Sequence, residues 1–149
     1  MSMEKAYIAS GWFNPEWLQE LEDIKALLDK HGLKYFSPRD EAICPPDAGL
    51  DVQQEIFDGN VNALQSCSWM LCNTREKDPG SVWESGNFYG QGKPIVYFAG
   101  GLPEGALFNL MLAKSGIKVC MNLAELDDYL SRCVEAGHLL EEPYAGHIE

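Results

Sequence analysis

Short apolar runs alternate with amphipathic segments along this chain, and that alternation limits its possible folds more than any other feature. Five runs have the length and composition of buried strands, at residues 5–10, 33–36, 68–73, 94–98 and 117–121. Helices are predicted in the intervening and final segments, at 15–31, 51–65, 80–91, 107–113 and 123–136. Strands that alternate with helices predict an α/β fold, in which a parallel five-stranded sheet has helices on both faces.

Local signals support the first helix and the main loops. Asn14 is a favourable N-cap, Pro15 suits a first helical turn, and Gly32 follows the end of the helix. The proline- and aspartate-rich segment 37–49 and the glycine-rich segment 100–105 are predicted as loops. No repeat or linker interrupts the pattern, so residues 1–149 are expected to form a single domain.

Charge and cysteine content narrow the possible partners. The formal net charge of −12 argues against a nucleic-acid polymer, which requires a basic face, whereas an unphosphorylated nucleoside has no such requirement. Five cysteines at irregular spacing are typical of reduced, mostly buried thiols, and the histidines are far apart, so neither disulfides nor a metal site are expected. Without a signal-peptide pattern or an apolar run near the ~18 residues of a membrane span, a cytoplasmic protein without membrane contact is expected.

The residues that follow the strands are the candidates for function, because ligands of such sheets bind at the carboxyl ends of the strands. Segments 11–14, 37–41 and 76–84 occupy these positions, and none is a phosphate-binding glycine loop. In the third segment Gly80 should let the backbone turn closely, which puts Glu84 in the first turns of a helix. A carboxylate near a helix N-terminus is favoured in its charged form, as a nucleophile requires.

Asp78 precedes Glu84 on the loop, from which it could face the same crevice. Two carboxyl groups at one sugar are what retaining glycosyl transfer needs: one attacks the anomeric carbon, and the other moves the proton of the leaving or entering group. On spacing alone the commoner explanation is structural, with Glu84 complementing a helix dipole and Asp78 beginning a turn.

Six segments of the chain resemble nucleoside 2-deoxyribosyltransferases. They occur in the family's order and span nearly the whole chain: AYIASGWFN (6–14), FSPRDE (36–41), DPGSVWESG (78–86), GKPIVYF (92–98), FNLML (108–112) and PYAGHIE (143–149). The resemblance implies a flavodoxin-like, or Rossmann-like, fold. It also implies a ping-pong reaction of nucleotide salvage between a deoxynucleoside and a free nucleobase, without metal or cofactor.

On this resemblance Glu84 is the nucleophile that forms a covalent deoxyribosyl ester, and Tyr7 hydrogen-bonds it and holds its orientation. Asp78 contacts the base and assists proton transfer. Asn109 matches an asparagine that reaches the sugar hydroxyls of a neighbouring subunit, and the carboxylate of Glu149 matches a C-terminus that closes the pocket. A homo-oligomer is therefore implied, with a dimer as its minimal unit and a hexamer as one arrangement.

Two positions depart from the family's commoner pattern. Asn60 stands where many members have an aspartate near the sugar, and it remains a sugar-binding candidate without a charge. Ala42 stands where many members have a base-reading glutamine. This leaves open whether Asp40 or Glu41 substitutes for the glutamine or the pocket accepts a larger base.

Aromatic residues near these segments have two interpretations. Trp12 and Phe13 follow the first strand and could stack on a nucleobase, with core filling as the alternative, whereas Trp83 is expected to pack. Three functions remain open: transfer of 2-deoxyribose between bases, hydrolysis of the N-glycosidic bond of nucleosides or nucleoside 5′-monophosphates, and nucleoside binding without catalysis. The set of Tyr7, Asp78 and Glu84 favours catalysis, and the scarcity of groups placed for phosphate favours transfer.

Overall fold

A computed structural model describes residues 1–41 and 43–149, except for the side chain of Glu76. Its elements are β1 (Ala6–Ala9), α1 (Pro15–Lys30), β2 (Tyr35–Phe36), α2 (Pro38–Glu41), α3 (Leu50–Ser66), β3 (Trp69–Asn73), a 3₁₀ turn (Arg75–Lys77), α4 (Pro79–Gly90), β4 (Ile95–Phe98), α5 (Leu110–Ser115), β5 (Lys118–Cys120) and α6 (Leu123–Ala136). All predicted strands and helices occur, with α2 as an addition inside a segment that was expected to be loop.

The five strands form one parallel sheet in the order β2-β1-β3-β4-β5. This is the strand order of flavodoxin-like folds, and it confirms the predicted sheet. From β1 the chain adds β2 on one side, and it then adds β3, β4 and β5 in turn on the other side. The neighbouring strands β1 and β3 therefore mark the switch point of the sheet. Loops that follow β1 and β3 therefore diverge and leave a crevice between them.

Helices cover both faces of the sheet, as predicted. Alternate strand residues point to opposite faces, so Ile8, Leu71 and Val96 pack with α1 and α6, while Tyr7, Cys72 and Tyr97 pack with α3, α4 and α5. The side chains of all these strand residues are fully buried. The face that carries α3 and α4 is the one on which the Tyr7 side chain lies.

Helix termini are fixed by specific hydrogen bonds. The side chain of Asn14 accepts a hydrogen bond from the Trp17 amide at 2.9 Å, which confirms the predicted start of α1. At the end of α3, the ammonium of Lys93 donates to the carbonyls of Leu64, Gln65 and Cys67 at 2.9, 2.7 and 2.8 Å. A cation beside these exposed carbonyls complements the negative end of the helix dipole, so Lys93 anchors α3 to the sheet.

The cysteine side chains are mostly buried, as the sequence predicted. All five thiols are free, and four of them are buried, with Cys44 exposed. Within residues 1–41 and 43–149, no helix is both long and apolar enough to cross a membrane.

Candidate active site

A cavity of about 490 Å³ opens at the switch point between β1 and β3. Its walls come from the segment after β1, the start of α2, the inner face of α3, and the first turns of α4. Six residues singled out from the sequence line it together: Trp12, Phe13, Asn60, Asp78, Gly80 and Glu84. The fold thus assembles most of the candidate site from four separate segments.

Tyr7 does not line this cavity, but it bonds directly to Glu84, which does. Its side chain is fully buried in β1, its ring stacks on Phe36 with centroids 5.4 Å apart, and its hydroxyl donates a hydrogen bond to Glu84 Oε2. Strand β1 fixes the ring, and α4 packs on the same face of the sheet, so the phenol of Tyr7 can reach the Glu84 carboxylate. This contact restricts the orientation of the Glu84 carboxylate, and Oε1 is the oxygen that Tyr7 does not bond.

Burial raises the pKa of Glu84 to about 7, while the hydrogen bond from Tyr7 lowers it and the nearby charge of Asp78 raises it further. The sequence predicted the opposite direction, because a helix N-terminus favours a charged carboxylate. Glu84 lies beyond the first turn of α4, where the dipole effect has weakened, so burial is the larger influence. Burial and the charge of Glu84 also raise the pKa of Tyr7, which therefore remains a hydrogen-bond donor at neutral pH.

Asp78 is the N-cap of α4. Its Oδ2 accepts hydrogen bonds from the Ser81 amide at 2.9 Å and the Ser81 hydroxyl at 2.8 Å, so the other oxygen, Oδ1, makes neither of these bonds. The close turn predicted at Gly80 lies instead at Lys77, which has a left-handed backbone with φ of 54°, whereas Gly80 is part of α4. The reason is that the chain must reverse before Pro79, which occupies the first helical position.

Two pairs of aromatic rings contribute to the cavity walls. Trp12 and Phe13 have ring centroids 5.1 Å apart, and Phe57 and Trp83 have centroids 5.9 Å apart. Trp12 packs partly against the core, while Phe13 is 66% exposed. Trp83 was expected only to pack, yet it is half exposed and lines the cavity.

Several cavity residues were not selected from the sequence. Phe57, Val61 and Leu64 lie on the inner face of α3, at helical spacing and on the side marked by Asn60. That spacing beside a candidate sugar-binding residue was a signal that could have identified them. Ser10 and Pro38 carry no comparable pattern.

Asp40 and Glu41 do not line the cavity. The carboxylate of Asp40 pairs with the ammonium of Lys25 at 2.8 Å, and Glu41 is exposed at the end of α2. The Asp40 side chain is therefore held by α1, and neither residue contributes to the wall of the Glu84 cavity. Ala42, the other position tied to base recognition, lies outside the described residues.

Asn109 and Glu149 line a second cavity of about 860 Å³, which shares Pro79 and Trp83 with the first. Asn109 caps α5, because its side chain accepts a hydrogen bond from the Leu112 amide at 3.2 Å. The amide of Glu149 donates to the Phe108 carbonyl at 3.0 Å, which holds the tail beside this segment. In this chain the two residues thus lie next to the Glu84 cavity and not in it.

The first cavity is lined by few ionisable side chains. Among the described residues that line the first cavity, the only ionisable side chains are the carboxylic acids Asp78 and Glu84. A doubly wound sheet with two carboxyl groups at its switch point defines a class of protein that can bind a polar, uncharged ligand and act on it by nucleophilic or acid–base chemistry.

Comparisons with known proteins identify the family within that class. The model of the family Nucleoside 2-deoxyribosyltransferase matches residues 6–111, and the chain therefore belongs to this family. A search of the curated proteins found no match.

Solved structures share the fold at low sequence identity. A 2-deoxyribosyltransferase from Bacillus psychrosaccharolyticus superposes with a TM-score of 0.76 and 24% identity, over 95% of this chain and 99% of that one. A conserved protein from Enterococcus faecalis gives 0.71 and 14%, over 88% and 99% of the two chains. A CMP N-glycosidase from Clostridium botulinum gives 0.57 and 15%, over 87% and 99%.

Proposed function

We propose that this protein transfers 2-deoxyribose between nucleobases through a covalent ester on Glu84. The observation that carries the proposal is the pair formed by Tyr7 and Glu84, with the Tyr7 hydroxyl donating to Glu84 Oε2 in a cavity that Asp78 also lines. A carboxylate held in one orientation beside a second carboxyl group supports retaining glycosyl transfer.

The first half-reaction forms the ester. Glu84 Oε1, the oxygen not bonded to Tyr7, attacks C1′ of the deoxynucleoside. The bond between C1′ and the base nitrogen breaks, its electron pair goes to the base, and the base takes up a proton through Asp78. Without a 2′-hydroxyl, the sugar forms an oxocarbenium-like state readily, so modest electrostatic help is enough.

The second half-reaction returns the carboxylate. A nitrogen of the incoming base attacks C1′, the ester bond to Glu84 breaks, and the incoming base loses its proton through Asp78. Two inversions at C1′ retain the configuration. In this scheme Asp78 acts through Oδ1, because Ser81 holds Oδ2.

The walls of the cavity support an unphosphorylated substrate. The rings of Trp12 and Phe13 offer a stacking surface for a nucleobase, and Asn60 offers amide hydrogen-bonding groups for the sugar. Within the described lining there is no lysine, arginine or histidine to bind a phosphate. A nucleoside therefore suits the cavity better than a 5′-monophosphate.

Hydrolysis of the N-glycosidic bond is the second candidate. It requires the same nucleophile and differs only in that water accepts the sugar, and a CMP N-glycosidase shares this fold. Incubation with deoxyinosine, with and without adenine, distinguishes the candidates in one chromatogram. Deoxyadenosine that forms only with adenine supports transfer, hypoxanthine released equally without adenine supports hydrolysis, and unchanged deoxyinosine supports binding alone.

Covalent labelling tests the role of Glu84 directly. A fluorinated arabinosyl nucleoside, whose fluorine slows the breakdown of the ester, should add its sugar to the protein. Peptide mass spectrometry should then find the added mass on Glu84, and a label on any other residue would contradict the mechanism.

Assembly is part of the same proposal, because Asn109 lies outside its own chain's Glu84 cavity. We propose that Asn109 completes the site of a neighbouring subunit in a dimer-based homo-oligomer. Mixing inactive Glu84→Ala and Asn109→Ala subunits, with exchange by dilute denaturant and refolding, should restore activity, since a hybrid dimer holds one site free of both changes. A fully active monomer by light scattering would contradict this arrangement.

A further inference from the structure

The segment that carries Asp78 has little regular structure of its own. Residues 74–78 connect β3 to α4 through a 3₁₀ turn and the left-handed residue Lys77. Such a short, irregular connection has few internal hydrogen bonds to fix it. Ser81 holds Oδ2 of Asp78 at one end, and the Thr74 amide donates to the Phe98 carbonyl at 2.9 Å at the other. The course of the residues between these two points, which sets how the Asp78 carboxyl group projects, depends on what else anchors the segment.

A charged pair between Glu20 on α1 and Arg75 in the turn supplies this further anchor. Arg75 donates from Nε to Glu20 Oε1 at 2.8 Å and from Nη2 to Oε2 at 2.9 Å, which is the two-pronged geometry of strong arginine–carboxylate pairs. The two side chains are only 12% and 19% exposed. Each charge therefore stabilises the other, because neither side chain is fully hydrated.

Asn73 joins this pair to the backbone and to the cavity. Its Nδ2 donates to Glu20 Oε1 at 2.8 Å, and its Oδ1 accepts from the Arg75 amide at 3.0 Å. The same Nδ2 lies 3.4 Å from the hydroxyl of Ser10, which lines the cavity. Glu20 therefore holds both the side chain of Arg75 and, through Asn73, its backbone.

The loop after β4 is shaped to accommodate the pair. A Cβ atom at Gly100 would collide with the Phe98 ring and lie 2.7 Å from Glu20 Oε2, and one at Gly101 would collide with the Arg75 guanidinium. Gly101 also has φ of 82°, a conformation that favours glycine. Two consecutive glycines thus leave room for a nearly buried ion pair, which distinguishes it from an incidental surface contact.

We propose that Glu20 is a positioning residue that orients Asp78 for proton transfer to the base. It acts through Arg75 and Asn73, which fix the segment from which the Asp78 carboxyl group projects. The inference rests on the proposed role of Asp78 as the proton-transferring group. It adds a residue on α1, which does not line the cavity, to the determinants of that step.

The test compares two substrates that differ in their need for a proton. The base of 2′-deoxyguanosine must be protonated as it leaves, whereas the base of 7-methyl-2′-deoxyguanosine is already cationic. In Glu20→Gln, kcat/KM should fall by about 10- to 100-fold for the first substrate and by less than about threefold for the second. The ratio of the two values, measured on one sample, does not depend on the fraction of protein that is folded.

Three further variants sharpen the comparison. Glu16, which is 72% exposed and bonds Arg75 Nη1 at 3.3 Å from the outer side, is the matched control, so Glu16→Gln should leave the ratio unchanged. If Glu20 acts through Asp78, adding Glu20→Gln to Asp78→Asn should not change the ratio that Asp78→Asn gives alone. If Glu20→Gln does not fold, Arg75→Gln breaks the same pair and is judged by the same ratio.

The outcomes separate the two levels of the argument. Equal losses for both substrates in Glu20→Gln, together with a selective loss in Asp78→Asn, would overturn the inference alone and make the pair a structural element. Equal losses for both substrates in Asp78→Asn would overturn the proposed role of Asp78, and the inference with it.

Discussion

Replacing Glu84 with glutamine should change activity and stability in opposite directions. Glutamine has the same size and its oxygen can still accept the hydrogen bond from Tyr7, but it can neither attack C1′ nor ionise. We therefore expect turnover to fall by at least about three orders of magnitude with the fold intact. A variant that kept a tenth of wild-type activity would exclude Glu84 as the nucleophile.

The expected gain in stability follows from the pKa of Glu84, which is about 7 in the folded protein against an ordinary value of 4.5. Between these values the folded state binds more protons than the unfolded state, so the wild-type protein loses stability as the pH rises. Glutamine escapes this loss. Its advantage should be near zero well below pH 4.5, about 1 kcal/mol at pH 5.5 and at most about 3 kcal/mol at pH 8.

Urea unfolding followed by tryptophan fluorescence, at a fixed protein concentration, measures this advantage at pH 5.5 and pH 8. Glu135→Gln, which removes an exposed carboxylate from α6, corrects for the change in net charge. An advantage that did not grow between the two pH values would refute the argument, because the burial of Glu84 would then not oppose its ionisation.

Three further predictions address the neighbours of Glu84. Because the Tyr7 hydrogen bond lowers the pKa of Glu84, Tyr7→Phe should move the acidic limb of the kcat/KM profile for deoxyinosine above pH 7, and an unmoved limb would contradict the coupling. Asp78→Asn keeps a favourable N-cap but should lower kcat/KM for 2′-deoxyguanosine by about 100-fold and for its 7-methyl derivative far less. Lys93→Met removes the donor to three carbonyls at the end of α3 and should cost about 2 kcal/mol, seen as a Tm several degrees lower in a thermal melt; an unchanged Tm would mean that water replaces the ammonium.

The periodicity of the sequence was sufficient for the order and type of the main elements, because each strand and long helix is specified by its own residues. It was insufficient where contacts between residues far apart in sequence determine the local structure. The helix expected from residue 107 begins at Leu110, since Phe108 pairs with Ile148 in a short parallel bridge. Helix α2 spans only Pro38–Glu41, which is too short to produce a helical pattern.

The candidate site was predictable in its members more than in its electrostatics. Tyr7 and Glu84 were paired by family resemblance, and the fold brings them together across 77 positions of the chain. The predicted direction of the Glu84 pKa shift was wrong. Burial decides that shift, and it depends on how α3, α4 and β1 pack together, which the local sequence does not specify. Asp40 likewise pairs with Lys25 on α1, a contact that the loop sequence alone does not indicate.

The burial of Glu84 affects the relative rates of the two half-reactions in the proposed mechanism. A bound nucleobase excludes more water from the cavity, which makes the Glu84 charge still less favourable. Attack on C1′ converts that charge into a neutral ester, so burial favours formation of the ester and opposes its breakdown. Tyr7 acts in the opposite sense, because its hydroxyl stabilises Oε2 as the charge returns to Glu84. Loss of that hydroxyl should therefore slow transfer from the ester to the incoming base more than it slows formation of the ester.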